Sequence, residues 1–197
     1  MNQAFEYSDD LGPEKIIEIY DPGTRLKAML VVDNVAAGPS IGGLRMAPDV
    51  TREECFRLAR AMTLKNAMAA LAHGGGKSIL VGDPAMPAEQ KEQLVRAFAY
   101  AVRDVHDYIT GPDMGTNEHL MACVRDVNGG PWWDCPGAGR NSLDEIGATG
   151  YGLSVALEAA QGFWRISSSR APASWCRVSD PSASTPHAFS PSRVHGW

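Results

Sequence analysis

Cysteine is scarce in this chain: Cys55, Cys123, Cys135 and Cys176 are scattered through 197 residues and no C-x-x-C pair occurs. That spacing excludes a disulfide framework and a cysteine zinc knot, so the four read as free thiols and no metal is expected. No apolar run approaches the roughly 20 residues that a bilayer span needs, which excludes a membrane role. Basic residues are not in excess either. Lys plus Arg number 18 against 23 Asp plus Glu, a net charge of −5, which leaves no electrostatic footprint for a nucleic-acid partner. Met1 to Asp10 lacks the basic start and apolar core of a secretory signal, so a cytoplasmic location is expected. At about 150 residues per domain the length suggests one domain and a fragment.

What is present from Ile16 to about Val127 is α/β grammar. Ile16 to Tyr20, Leu26 to Asp33, Ser78 to Val81 and Asp107 to Thr110 are rich in β-forming residues, and segments of 3.6-residue period alternate with them. Thr51-x-x-Glu54 forms a capping box, followed by the stripe Cys55, Leu58, Ala59, Met62, which predicts a helix to about Leu71. Pro87 at a first helical position and Leu94, Ala97, Phe98, Ala101 and Val105 on one face predict a second. Shorter helices are expected over Asn117 to Asp126 and Ala148 to Gln161. Gly129 to Gly137 crowds two of the five Trp residues into an aperiodic Gly/Pro-rich run. From about residue 165 the Ser- and Pro-rich tail is expected to be disordered.

Three stretches carry polar groups suited to chemistry. In Gly38-Pro39-Ser40-Ile41-Gly42-Gly43-Leu44-Arg45-Met46 the glycine pair allows close backbone approach to a ligand, although a plain turn before the helix accounts for it as well. In Met62-Thr63-Leu64-Lys65-Asn66, helical spacing places Lys65 on the apolar stripe, where its stem either snorkels to water or serves a site. Lys77 follows Gly74-Gly75-Gly76 and enters a strand, so its amine is expected to project from an open loop. A P-loop is excluded, because that motif needs glycine where Leu71 stands and leads into a helix. In Thr110-Gly111-Pro112-Asp113-Met114-Gly115-Thr116-Asn117, Asp113 lies just past a strand end. Ligands of α/β sheets collect there, and turn or capping residues also occur there.

Taken together, G-P-S-I-G-G-L-R-M, M-T-L-K-N, G-G-G-K-S with V-G-D-P, and P-D-M-G-T stand in an order and spacing that resembles the substrate domain of the Glu/Leu/Phe/Val amino-acid dehydrogenases, over about Leu26 to Asn117. The resemblance implies a three-layer α/β domain with a mixed, mostly parallel sheet flanked by helices. It implies oxidative deamination of an L-amino acid to a 2-oxo acid and ammonia, with hydride transfer to NAD or NADP, in a homo-oligomer. By the same resemblance Lys77 is the catalytic lysine, Asp113 its proton-transfer partner and Lys65 the partner of the substrate α-carboxylate. Ile41, Gly42, Gly43 and Met62 line the substrate, and Thr149, in Asp144 to Gly152, lies near the nicotinamide. A free lysine titrates near about 10.4; desolvation and a second cation such as Lys65 both favour the neutral amine that such a base needs.

One position bears on specificity. In the glutamate-using branch a lysine precedes the Gly-Gly pair, where this chain has Ile41. A distal carboxylate facing Ile41 would be desolvated without a partner, so a leucine- or valine-type apolar substrate is expected. M-T-L-K-N and G-G-G-K-S also resemble that branch.

After Gln161 no G-x-G-x-x-G fingerprint is readable, so the cofactor Rossmann domain is expected to be absent. The organisation expected is a substrate (dimerisation) domain over 1–127, an aberrant linker over 128–143, a helix leading toward the cofactor domain over 144–163, and a disordered, out-of-frame tail over 164–197. Beginning each codon at the third base of the printed one permits G-A-R-V-V-V-S-G-F-G-S-V-G-K-H-A-A-R-F-L from Arg170 onward, a strand, a dinucleotide fingerprint and a helix start. The same shift over Gly129 to Gly137 permits R-A-V-V-G-L-P-R. Three functional readings follow: an apolar amino-acid dehydrogenase whose printed chain is truncated and inactive, a non-catalytic binding or oligomerisation module, and a glutamate dehydrogenase.

Overall fold

A computed structural model describes residues 5–129 together with Gly152, Val155 and Ala156. The chain divides into two compact units, Met1–Cys135 and Pro136–Trp197. In the second unit the three described residues are helical and exposed, within the span expected for the fourth helix. The expected linker, the out-of-frame tail and Thr149 lie outside the described residues.

The first unit is built in the order β1 (Lys15–Asp21), β2 (Leu26–Asn34), β3 (Ser40–Ala47), α1 (Arg52–Met68), β4 (Gly74–Val81), α2 (Ala88–Ala101), β5 (Tyr108–Pro112) and α3 (Glu118–Asn128). The strands form one sheet in the order β1-β2-β4-β3-β5. β3 pairs parallel with β4 and β5, while β2 is antiparallel to β1 and to β4. Four of the five strands therefore point one way and β2 alone runs against them, which is the mixed, mostly parallel sheet expected.

Two apolar clusters separate the layers. Leu30, Leu44, Met46 and Leu80 pack under α2 and α3 against Val95, Phe98, Leu120 and Val124. On the opposite face Met29, Val31 and Ile79 pack against Cys55, Phe56 and Ala59 of α1. Side chains alternate across each strand, so Ile79 and Lys77 face α1 while Leu80 and Ser78 face the other layer.

Helix ends follow their capping chemistry. Thr51 Oγ1 accepts the Glu54 N–H at 3.1 Å, and Asn117 Oδ1 accepts the Leu120 N–H at 3.1 Å. Gly129 closes α3 in the left-handed region with φ 57°. Pro87 is the N-cap of α2 and not its first helical residue. The buried face of α2 is Val95, Phe98 and Ala99, turned from the expected one: Leu94 and Ala97 are half-buried beside it and Ala101 is exposed.

Two further expectations need correction. The Gly38 to Met46 stretch is not a turn: from Ser40 it is a central strand, paired on both edges. Gly74 to Gly76 is not an open loop but the buried start of β4. Glycine is required in both places by space. A Cβ at Gly75 would lie 2.0 Å from the Thr63 backbone nitrogen, and one at Gly42 would lie 1.8 Å from the Gly76 carbonyl oxygen. These strands hide from pattern reading because the residues that let them pack closely have no side chains.

Candidate functional site

α1 lies over β4 and β2 and makes little contact with β3, so the part of that face formed by β3 and β5 is a part that α1 covers little. The sequence places Ile41, Gly43 and Arg45 on it from β3, and Asp113 follows the end of β5. Lys77 enters from β4 beneath α1, where Cys55 Sγ contacts the Lys77 carbonyl at 3.5 Å. A Cβ at Gly43 would lie 2.7 Å from Asp113 Cβ, so that glycine makes the room in which the carboxylate sits.

Lys77 and Asp113 form a direct ion pair through Nζ and Oδ2, with side chains only 6% and 16% exposed. The second oxygen, Oδ1, accepts the Met114 N–H at 2.7 Å. The Asp113 backbone N–H donates to Thr116 Oγ1 at 3.0 Å, and that hydroxyl donates to the Leu44 carbonyl at 2.8 Å, tying the Asp113 turn to β3. Burial pushes the Asp113 carboxyl up, but the Lys77 ammonium, the Met114 N–H and Arg45 outweigh it and hold the group below its ordinary value of 3.8. A carboxylate depressed on folding contributes stability above its unfolded value and loses that contribution as pH falls through the folded one. Asp113→Asn is therefore expected to flatten the acid limb of unfolding free energy between about pH 5 and about pH 2. Urea unfolding across that range reads it, and acid slopes equal to those of the unaltered chain would contradict the assignment.

Lys65 departs from expectation. The buried stripe of α1 is Cys55, Phe56, Ala59 and Asn66, and Lys65 is exposed. Asn66 takes the inward position instead, its Nδ2 donating to the Gly74 carbonyl at 2.6 Å. Lys65 follows Glu54 by three helical turns on the flank of α1 that faces β3, with Leu58 and half-buried Met62 between them. Among the described residues it has no ion-pair partner. Ile41 is buried with 7% exposure, and Gly42 lies inside the sheet.

Sequence reasoning passed over Arg45 and Glu54. Arg45 Nη1 donates to Glu54 Oε1 at 2.5 Å, and its Nε lies 3.5 Å from Asp113 Oδ2. The signal that would have found Arg45 is period two: once Ile41 to Arg45 is a strand, Arg45 shares a face with Gly43 and Ile41. Behind the sheet Tyr108 Oη donates to the Gly42 carbonyl at 3.0 Å and lies 2.9 Å from Ser78 Oγ. Burial pushes that phenol up, so it is neutral and structural. Away from this face, Glu92, His119 and Cys123 bring potential metal ligands within 4.8 Å of one another, but Arg96 Nε already donates to Glu92 Oε1 at 2.8 Å.

The sequence model of the Glu/Leu/Phe/Val dehydrogenase dimerisation domain matches residues 13–128, more than half of the chain and the whole of the sheet. The chain belongs to this family. Leucine dehydrogenase of Bacillus subtilis is 32% identical over 163 residues, covering 80% of this chain and 44% of that protein. That similarity therefore extends past residue 128. Valine dehydrogenase of Streptomyces virginiae is 39% identical over 115 residues, covering 56% of this chain and 32% of that protein. Among solved structures, hetero-hexameric glutamate dehydrogenase from Thermus thermophilus in its leucine-bound form superposes with a TM-score of 0.64 at 28% identity, covering 76% of this chain and 41% of that one. As a Glu/Leu/Phe/Val dehydrogenase family member, the chain spans less than half the length of the curated relatives it matches. No described helix is long and apolar enough to cross a membrane.

Proposed function

We propose that residues 13–128 form the substrate side of an amino-acid dehydrogenase site acting on an apolar L-amino acid. The observation that carries this reading is the buried Lys77–Asp113 pair on the α1 side of the sheet, joining β4 to the end of β5. Lys77 is assigned as the base toward water and the substrate amine, and Asp113 as the group that exchanges protons with it. Lys65 is a cation without an ion-pair partner among the described residues, on the flank facing β3, suited to a substrate α-carboxylate. Met62 and Ile41 offer the side chain apolar surface, and Gly42 and Gly43 keep that stretch of β3 free of side chains. The leucine, valine and phenylalanine substrates named for the relatives agree with this lining.

In such an enzyme a nicotinamide, NAD or NADP, accepts the hydride. Thr149, assigned to its neighbourhood by resemblance, lies outside the described residues. Assembly as a homo-oligomer is part of the same proposal.

Isotope-labelled full chain titrated with L-leucine, L-valine and L-glutamate tests the substrate reading by chemical-shift changes. Leucine and valine are expected to perturb Gly42, Gly43 and Lys77 more strongly than glutamate does, with Lys77→Ala weakening the effect. Ile41→Lys is expected to invert the order, since an amine beside the glycine pair can meet a distal carboxylate that Ile41 leaves unpaired. Tighter binding of glutamate by the unaltered chain would overturn the apolar assignment, and no response to any amino acid would overturn the site. Following NADH with ammonia and 2-oxoisocaproate reads separately whether this chain alone turns over.

A further inference from the structure

Arg45 occupies an unusual position for a residue of a central strand. Its side chain is 19% exposed and lies between two carboxylates, Glu54 of α1 and Asp113 after β5. Glu54 takes Nη1 at 2.5 Å, while Nε is buried without a hydrogen bond and lies 3.5 Å from Asp113 Oδ2. That oxygen is the one Lys77 Nζ also contacts. One carboxylate oxygen thus faces a titrating cation on one side and a permanent one on the other.

We propose that Arg45, anchored by Glu54, is a positioning residue for the Lys77–Asp113 pair: it keeps a fixed positive charge on Asp113 so that the carboxylate stays ionised and in place when Lys77 releases its proton. The proposal rests on the roles given above to Lys77 and Asp113.

The proton balance shows why a third group is needed. The pair holds one proton, carried by the Lys77 ammonium beside the Asp113 carboxylate. When that proton leaves to solvent base or to a substrate group, a neutral amine and a carboxylate remain. With no other cation nearby the carboxylate would be a lone buried charge, a costly state, and the pair would keep its proton to higher pH. A guanidinium stays charged through any pH the enzyme meets, so Arg45 lowers the cost of the deprotonated state without joining the exchange.

The other groups packed around the pair do not supply this charge. Burial pushes the Cys55 thiol on α1 up to about 12, and Tyr108 on β5, behind the sheet, is also pushed up by burial; both are neutral at working pH. Lys65 on α1 is exposed. Glu54 faces Arg45 from α1 and fixes its direction.

The test uses the full chain labelled with ¹³C at lysine Cε, with the Lys77 resonance identified by its loss in Lys77→Met. Its titration midpoint is expected to rise by about one pH unit or more in Arg45→Gln and in Arg45→Met, and to stay close to the unaltered chain in Arg45→Lys. Asp113→Asn is expected to move the midpoint down, which shows that the resonance reports the pair. Superposable curves for Arg45→Gln and the unaltered chain, or a downward shift, would overturn the proposal. If Arg45→Gln does not fold, the comparison rests on Arg45→Met and Arg45→Lys: an Arg45→Met midpoint that does not rise, or an Arg45→Lys midpoint displaced as far as that of Asp113→Asn, overturns it. Absence of amino-acid binding alongside the expected titration shifts would instead defeat the substrate reading and leave the role of Arg45 standing.

Discussion

Asp113→Asn is expected to cost more folding stability than Lys77→Met, although the two residues share one ion pair. Removing the carboxylate leaves Lys77, 6% exposed, without an acidic partner among the described residues, because Glu54 is taken by Arg45. Removing the amine leaves Asp113 better served: Met114 N–H still donates to Oδ1 at 2.7 Å and Arg45 Nε still lies 3.5 Å from Oδ2. Stranding one member of a buried pair costs about 3–5 kcal/mol, and Asp113→Asn belongs at that level. Lys77→Met belongs nearer the ~1–3 kcal/mol of a weakened polar contact. The double variant should be more stable than Asp113→Asn alone, by about 1 kcal/mol or more, since the stranded charge is gone. Urea unfolding of the full chain at neutral pH measures all three. The Asp113→Asn deficit should also shrink as pH rises toward the lysine range, where the orphaned amine sheds its charge. A larger loss for Lys77→Met than for Asp113→Asn would mean that Asp113, and not Lys77, depends on the partnership.

That asymmetry was beyond the reach of the sequence, and the reason is local. Lys77 and Asp113 could be singled out because each reads as standing at a strand boundary near glycines, and the capping box at Thr51 fixed the start of α1 to the residue, whereas α3 begins one residue after Asn117, which is its N-cap. Lys65 shows the limit. The apolar stripe of α1 was drawn through Met62, whereas the structure draws it through Phe56 and Asn66, since Asn66 has a partner in the Gly74 carbonyl that no periodicity reveals. Arg45 escaped for a related reason. Its strand reads as a loop, because Gly42 and Gly43 remove the alternation by which strands are recognised. Tertiary packing decided both cases, one by satisfying a buried amide and one by demanding backbone contact without side chains.

Gly42→Ala should therefore be among the most damaging single changes in the chain, although it adds one methyl group in an unexceptional backbone region. The new Cβ would lie 1.8 Å from the Gly76 carbonyl oxygen and 3.1 Å from the Lys77 nitrogen. Both are backbone atoms of β4, so no rotamer change relieves the clash, and β3 must move away from β4. Overpacking where side chains can yield costs about 1–3 kcal/mol; with only backbone to displace, a loss beyond about 3 kcal/mol is expected. The same displacement would disturb the hydrogen bond from Tyr108 Oη to the Gly42 carbonyl, and carry Gly43 and Arg45 away from Lys77. Amino-acid binding should therefore fall together with stability. Gly82→Ala is the matched control: its nearest neighbour is the terminal Cε of Met86 at 3.1 Å, a flexible atom that can move aside, so a change within about 0.5 kcal/mol is expected. Comparable losses for the two variants in denaturant would show that glycine in β3 serves backbone entropy and not the seating of β3 against β4. A stable Gly42→Ala chain that still binds leucine would show that the Lys77–Asp113 site does not depend on that seating.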